Sequence, residues 1–230
     1  MKFFKQLVPL LISKKIDAVI TQVKNFKILA LDHAQFKSIK QGLPINSDDN
    51  EIPWYTYPAI EYLTQLDFSQ KSIFEFGSGN SSIFWAKRSK NIISVEHDKN
   101  WYKTIAKKKL NNQEILLLEK KDDYINALKK IDKKFDIIII DAKYRYECVK
   151  HVVEYLEDDG FIILDNSDWY PEAAEILRNK NLIQVDFAGF GPTNGYAWVT
   201  TLLLSRKCNL IPLNKQPRHC VGGIKQYADE

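Results

Sequence analysis

Glu75, Gly77, Gly79 and Glu96 stand at spacings that can hold a nucleotide. They lie in residues 72–98, SIFEFGSGNSSIFWAKRSKNIISVEHD, where each of two apolar runs ends in an acid and glycines alternate after the first. Glycines so placed let the backbone approach a ligand and turn tightly into a helix, with Asn80 or Ser81 as its cap. A carboxylate at Glu96 can accept from both hydroxyls of a ribose. A dinucleotide such as NAD would use the same turn, and a lone glycine fingerprint does not choose between nucleotides. Two details count against NAD. Ser82 stands where the third glycine or alanine of GxGxxG belongs, and Glu75 precedes the first glycine by two residues, a poor neighbour for a pyrophosphate. A carboxylate there suits a cationic ligand, one carrying an ammonium and a sulfonium.

A second group comprises Asp141, Asp165 and Asn166, at the ends of later apolar runs. Three oxygen ligands with water would suit Mg²⁺ or another divalent cation, which lowers the pKa of a hydroxyl bound to it. A metal-free arrangement is equally open, with Asp141, Lys143 or Arg145 placing an anionic acceptor and a histidine or carboxylate as base. His97 adjoins Glu96 and shapes the nucleotide pocket on this reading; His33, His151 and His219 have no partner in sequence. Trp54 and Tyr57 before the first strand, and Trp169, Tyr170, Tyr196 and Trp198 after the last parallel ones, are aromatic candidates for walls around a sulfonium or planar substrate. The GPTNG turn, Gly191 to Gly195, is a candidate for another wall.

These residues need strands to carry them. Short β-rich runs at Ser72–Phe76, Asn91–Glu96, Glu114–Glu119, Phe135–Asp141 and Gly160–Asp165 alternate with helical patterns near Ser81–Arg88, Trp101–Leu110, Tyr124–Ile131 and Tyr144–Leu156. That alternation implies a parallel sheet with helices on both faces, and the fully apolar Ile137–Ile140 fits its centre. Only GPTNGY separates Leu182–Phe190 from Ala197–Ser205, too little for a crossover, so these two pair as an antiparallel hairpin. If the first of the two runs parallel to the rest, the turn lies at the carboxyl edge, where open α/β sheets bind ligands. The expected fold is a Rossmann-like, doubly wound sheet of seven strands, mostly parallel with an antiparallel last strand, plus an N-terminal helical extension.

The 230-residue chain is long enough for one sizeable α/β domain, and its apolar fraction of 45% and net charge of +4 are ordinary. Its three cysteines have no CxxC spacing and suggest a reducing compartment, so a cytoplasmic protein is expected. The N-terminal apolar run Leu7–Ile12 is too short for a signal sequence or a membrane span. Lysines then mingle with Ile16, Val19, Ile20, Val23 and Phe26 at helical spacing. That helix is expected to pack on the domain or on a second copy, which makes a homodimer plausible; a membrane-surface helix is the alternative. The loop-like QGLPINSDDNEIP, Gln41 to Pro53, suggests division into a helical extension (1–50), a ligand-binding domain (51–206) and a tail (207–230).

EFGSGNS resembles the first motif of the class I S-adenosylmethionine-dependent methyltransferases, SVEHD their second, FDIIIIDA their fourth-strand motif and DDGFIILDN their fifth strand. The resemblance spans roughly residues 54–205 in the family's order, with Ser81 standing at the third glycine position. It implies S-adenosylmethionine as cofactor and methyl transfer as the reaction, with a small-molecule hydroxyl as acceptor and no nucleic acid partner. It puts Glu75 near the methionine ammonium, and Gly77, Ser78, Gly79 and Ser81 along the methionine and ribose. Glu96 would take the ribose diol with His97 beside it, Asp122 or Asp123 the adenine, and Asp141 and Tyr57 further walls. IIDAKYRYEC and FIILDNSDW resemble the catechol and caffeoyl-CoA type of O-methyltransferase, implying a metal on Asp141, Asp165 and Asn166. Lys143 stands two residues after Asp141 where that type has a lysine three on, with Arg145 at four. Rival readings are an NAD-dependent oxidoreductase, a non-catalytic S-adenosylmethionine-binding partner protein, and propylamine transfer.

Overall fold

The computed structural model describes residues 2–224, with side chains described from residue 14 onward. The seven strands are β1 (Ser72–Phe76), β2 (Asn91–Glu96), β3 (Gln113–Leu117), β4 (Phe135–Ile140), β5 (Leu156–Asp165), β6 (Ile183–Gly189) and β7 (Trp198–Leu204). They form one sheet in the order β3-β2-β1-β4-β5-β7-β6. β1 to β5 pair in parallel, and β7 runs antiparallel to both β5 and β6. β6 is therefore parallel to the first five. The GPTNG turn lies at the carboxyl edge, and the fold is the expected Rossmann-like one.

Period-two side-chain alternation explains how one apolar run feeds two cores. Ile138 and Ile140 of β4 face a cluster with Phe74, Phe76, Leu128 and Leu164. Ile137 and Ile139 face the opposite cluster, with Ile73, Phe84, Trp85 and Phe161. Glu75 shares the second face with Ile73, which sets an acid among apolar neighbours.

The helices are α1 (Lys2–Lys27), α2 (Gln35–Gln41), α3 (Tyr57–Leu63), α4 (Asn80–Ala86), α5 (Lys99–Ala106), α6 (Lys121–Ile125), α7 (Ala127–Ile131), α8 (Arg145–Cys148) and α9 (Pro171–Arg178). α3 and α9 were not expected; both start at a tyrosine–proline step, with the proline in the first turn, where its missing N–H costs nothing. The single helix expected over Tyr144–Leu156 is instead α8 and a 3-10 turn at Val152–Tyr155. Tyr144 enters it with φ +66°, and the β-branched Val149, Val152 and Val153 disfavour helix while the first two fill the core. Likewise, Asn126 divides α6 from α7, its Nδ2 donating to the Asp122 carbonyl at 2.8 Å.

Every described side chain of α1, Lys14 to Lys27, is exposed. The expectation that this helix packs on the domain is thus corrected: its apolar stripe touches no core, and no described helix is long and apolar enough to cross a membrane. The side chains of the run Leu7–Ile12 lie outside the described residues. The tail returns across the sheet's amino edge. The Asp67 amide donates to the Ile211 carbonyl at 2.8 Å and the Leu213 amide to Gln65 at 2.9 Å.

Candidate active site at the carboxyl edge

Gly77 begins the site. Its φ of +99° disfavours any side chain, and a Cβ there would meet the Asp141 carbonyl oxygen on the neighbouring strand. The chain then turns through Ser78 and Gly79 into α4, where the Ser82 hydroxyl accepts from the Gly79 amide at 3.0 Å. A cavity of about 240 Å³ opens over this turn, lined by Ser78, Gly79, Asn80, Ser81 and Asp141, with Gly42 to Pro44, Trp54 and Trp101 as further walls.

Glu96 is 4% exposed and anchored by backbone. Its Oε1 accepts from the amides of His97 and Asp98, both at 2.8 Å, and its Oε2 accepts from the Ser78 hydroxyl at 2.9 Å. A carboxylate held by two amides stays where the strand end puts it, while the single serine bond can be exchanged for a ligand hydroxyl. His97 packs against Tyr124 at 5.8 Å, and Tyr144 at 6.2 Å from Tyr124 completes an aromatic cluster beside Glu96.

Glu75 is turned away from the cavity. It is 1% exposed, and its carboxylate accepts from the hydroxyls of Ser81 (2.6 Å), Ser94 (2.7 Å) and Ser82. Burial raises its pKa to about 7 against the pull of those three hydroxyls. It reaches the cavity only through Ser81, so the expected place near a ligand ammonium is an indirect one. Asn80 does face the cavity and was missed in the sequence. Its Nδ2 donates to the Pro44 carbonyl at 2.7 Å, while its buried Oδ1 has no partner among the described residues. Trp101, also missed, covers the turn by donating from Nε1 to the Ser78 carbonyl at 2.6 Å. The cap of α4 is Gly79 rather than Asn80 or Ser81, and a carboxamide on the helix's first residue or an indole on the third residue of α5 carries no signal of this in the sequence.

Tyr57 is placed elsewhere. Its ring stacks on His33 at a centroid distance of 4.2 Å and lines a separate cavity of about 490 Å³ with His33, Glu61 and Arg88. The amide of Tyr57 is held by the Phe190 carbonyl at 2.7 Å, which swings the ring to that side and leaves Trp54 at the first cavity. Asp122 and Asp123 lie on α6 outside the first cavity, and Asp123 pairs with Lys130. Lys143 is exposed, its Nζ 5.5 Å from the Tyr144 ring centre.

Asp141, Asp165 and Asn166 do come together, but around an arginine. Arg145 donates from Nη2 to Asp141 Oδ1 at 2.7 Å and to Asn166 Oδ1 at 2.9 Å, and from Nη1 to the Ala142 carbonyl at 2.7 Å. Asp165, 2% exposed, instead accepts at Oδ1 from Thr200 Oγ1 (2.6 Å) and Trp198 Nε1 (3.1 Å) of β7. Burial raises the Asp141 pKa while the guanidinium opposes it; burial and the neighbouring Asp141 charge hold Asp165 well above the usual carboxylate range. The expected Mg²⁺ donor set is therefore corrected: a fixed cation already takes up two of the three oxygens, and the third turns into the sheet. No group of three acidic, histidine or cysteine side chains among the described residues is arranged for a metal.

A family model described as a methyltransferase domain matches residues 74–167, from within β1 to just past β5. No curated protein matches the sequence. Among solved structures, the chain is similar to a precorrin-6y C5,15-methyltransferase from Geobacter metallireducens at 12% identity. That match covers 64% of this chain and 87% of the other, with a TM-score of 0.49. An rRNA methylase from Streptococcus thermophilus is similar at 15% identity over 65% and 97% of the two chains, TM-score 0.48. A putative methyltransferase from Streptococcus mutans in complex with SAH is similar at 12% over 64% and 97%, TM-score 0.45. The cavity over Gly79 has Trp101 as one wall and Ser78 as another, and the Ser78 hydroxyl links it to the backbone-held Glu96. The domain match runs through the very strands that end in the glycine turn, in Glu96 and in Asp141, so residues 74–167 of this chain are similar to a methyltransferase domain.

Proposed function

We propose that this chain is a class I S-adenosylmethionine-dependent methyltransferase acting on a hydroxyl oxygen of a small acceptor, with Asp141 as the base that receives the hydroxyl proton. The observation that carries this reading is Asp141 itself, which lines the cavity beside the glycine turn while Arg145 holds only its Oδ1. S-Adenosylmethionine supplies a methyl group on a sulfonium, transferred by in-line displacement as the carbon–sulfur bond breaks and the carbon–oxygen bond forms.

The chain's own residues divide the work. Glu96 accepts from the ribose hydroxyls, with Ser78 giving up its bond. Gly77, Ser78 and Gly79 let the backbone run against the ligand, and Ser81, braced by Glu75, lines its polar chain. Asn80 Oδ1 offers an acceptor for the methionine ammonium, which resolves an otherwise orphaned buried oxygen. Asp122 or Asp123, on α6, remains the residue offered to the adenine amino group. Arg145 is a positioning residue: it fixes the Asp141 carboxylate, and its charge opposes the upward pull of burial on that carboxyl's pKa. Lys143, exposed two residues after Asp141, contributes positive field for an anionic acceptor. We take residues 51–206 as the catalytic unit, with the preceding and following segments as its accessories.

The test begins with S-adenosylhomocysteine and S-adenosylmethionine in a thermal-shift assay. A ligand near 100 times its dissociation constant stabilises by about 2.7 kcal/mol. For a chain of this size the melting temperature should rise by roughly 5–10 °C. Glu96→Ala should abolish that rise. Transfer of labelled methyl to a panel of small phenols and alcohols, beside amines and total RNA, then tests the acceptor. Methylation of amines or RNA alone would sink the hydroxyl reading, and NAD shifting the protein where the two sulfur ligands do not would sink the cofactor assignment.

A further inference from the structure

We infer that α1 is a membrane-surface helix that docks this enzyme on anionic lipid. Ile16, Val19, Ile20, Val23 and Phe26 follow one another at i, i+3, i+4, i+7 and i+10, one face of a helix. They are 47–69% exposed in the folded chain. The apolar surface continues past the helix end through Leu31, Phe36 and Ile39, each more than half exposed. A monomer in water rarely leaves so long a contiguous stripe uncovered.

Charge selects the occupant. α1 carries six lysines against the single acid Asp17, four of the lysines (Lys14, Lys15, Lys24, Lys27) within the part whose side chains are described. A second copy of the same helix would bring lysine against lysine. Read as heptads, Ile16, Val19, Val23 and Phe26 make a seam of only two repeats, flanked by Lys15 and Lys27 with no acid opposite, short of what a stable coiled coil uses. A bilayer surface suits both features. The apolar face enters the acyl boundary, and lysine stems reach up to anionic headgroups. α2, which carries Phe36 and Ile39, leads directly into Gly42–Pro44 at the cavity wall, and Gln35 ties it to the turn before β7 by donating to the Gly191 carbonyl at 2.8 Å. Lipid docking through α1 and α2 therefore sets the cavity's mouth close to the membrane surface, whatever the acceptor proves to be.

The experiment is co-sedimentation of the full chain with phosphatidylcholine vesicles, with and without phosphatidylglycerol, at low and high salt. Binding is expected only with phosphatidylglycerol and should weaken as salt rises. Val19→Glu with Val23→Glu should abolish it. Lys24→Gln with Lys27→Gln should weaken it by roughly 25-fold, about fivefold for each lysine. Circular dichroism melting, unchanged in these variants, separates lost docking from lost folding. Failure of the wild-type chain to pellet with anionic vesicles, or pelleting that ignores Val19→Glu with Val23→Glu, overturns the inference. A two-chain mass in sedimentation equilibrium that reverts to one chain in that variant, without vesicle binding, assigns the stripe to a second copy instead.

Discussion

Glu75 shows what a single buried acid does to a whole protein's pH response. Its pKa is about 7 in the folded chain against the ordinary 4.5, because burial outweighs three hydroxyl donors. A proton binds it more tightly folded than unfolded, so its stabilising share is complete below about pH 4.5 and is lost as pH rises through 7. Denaturation titrations at pH 5 and pH 8 should show stability falling by up to about 3 kcal/mol. Glu75→Gln should flatten that slope. At Asp141 the same logic applies to rate. Transfer needs the ionised form, so the rate should climb with pH through a raised carboxylate pKa, and Asp141→Asn should remove the climb and cost roughly 10²–10⁴-fold in kcat. Arg145→Lys keeps the charge but loses the fork across Asp141 and Asn166; it should shift that limb upward with a modest change in KM.

At the scale of elements, the glycine turn is held by a neighbour as much as by its own backbone. Gly77→Ala puts a methyl against the Asp141 carbonyl at a φ that only glycine takes easily. We expect at least about 1–2 kcal/mol of lost stability. Loss of the S-adenosylhomocysteine thermal shift should accompany it, since the turn must move. Most strands were legible in the sequence because apolar runs ending in acids or turns mark them at both ends; β1 and β2 match residue for residue. The hairpin was legible from the shortness of GPTNGY. The broken helix after Tyr144 was not, because its apolar spacing is helical and only the left-handed Tyr144 and the pull of Val149 and Val152 into the core divide it. The placement of Glu96 and the glycines was legible, because strand ends and backbone turns set it. The site was illegible at Asn80, Trp101 and Tyr57, whose orientations depend on where a helix's first turn, a neighbouring helix and a distant carbonyl place them. The metal set failed for a related reason: spacing marked Asp141, Asp165 and Asn166 as neighbours but could not say that Arg145 would lie between them.

Across the whole molecule, two cores share one sheet, so a defect in a central strand is felt on both sides. Ile138→Ala should cost about 2–5 kcal/mol. Each kcal/mol should lower the melting temperature by roughly 2–4 °C, readable by calorimetry. The exposed α1 should by contrast tolerate changes in its stripe within about 0.5 kcal/mol. The sheet's strand order carries one more consequence. Asp165 ends β5, yet its two hydrogen-bond donors, Trp198 and Thr200, stand on β7, made later by the ribosome and slotted in between β5 and β6. A nascent chain paused before Trp198 already has the glycine turn, Glu96 and Arg145, but β5 then has an open strand edge. Synthesis thus completes the glycine turn and the Glu96 strand end before it completes the surroundings of Asp165.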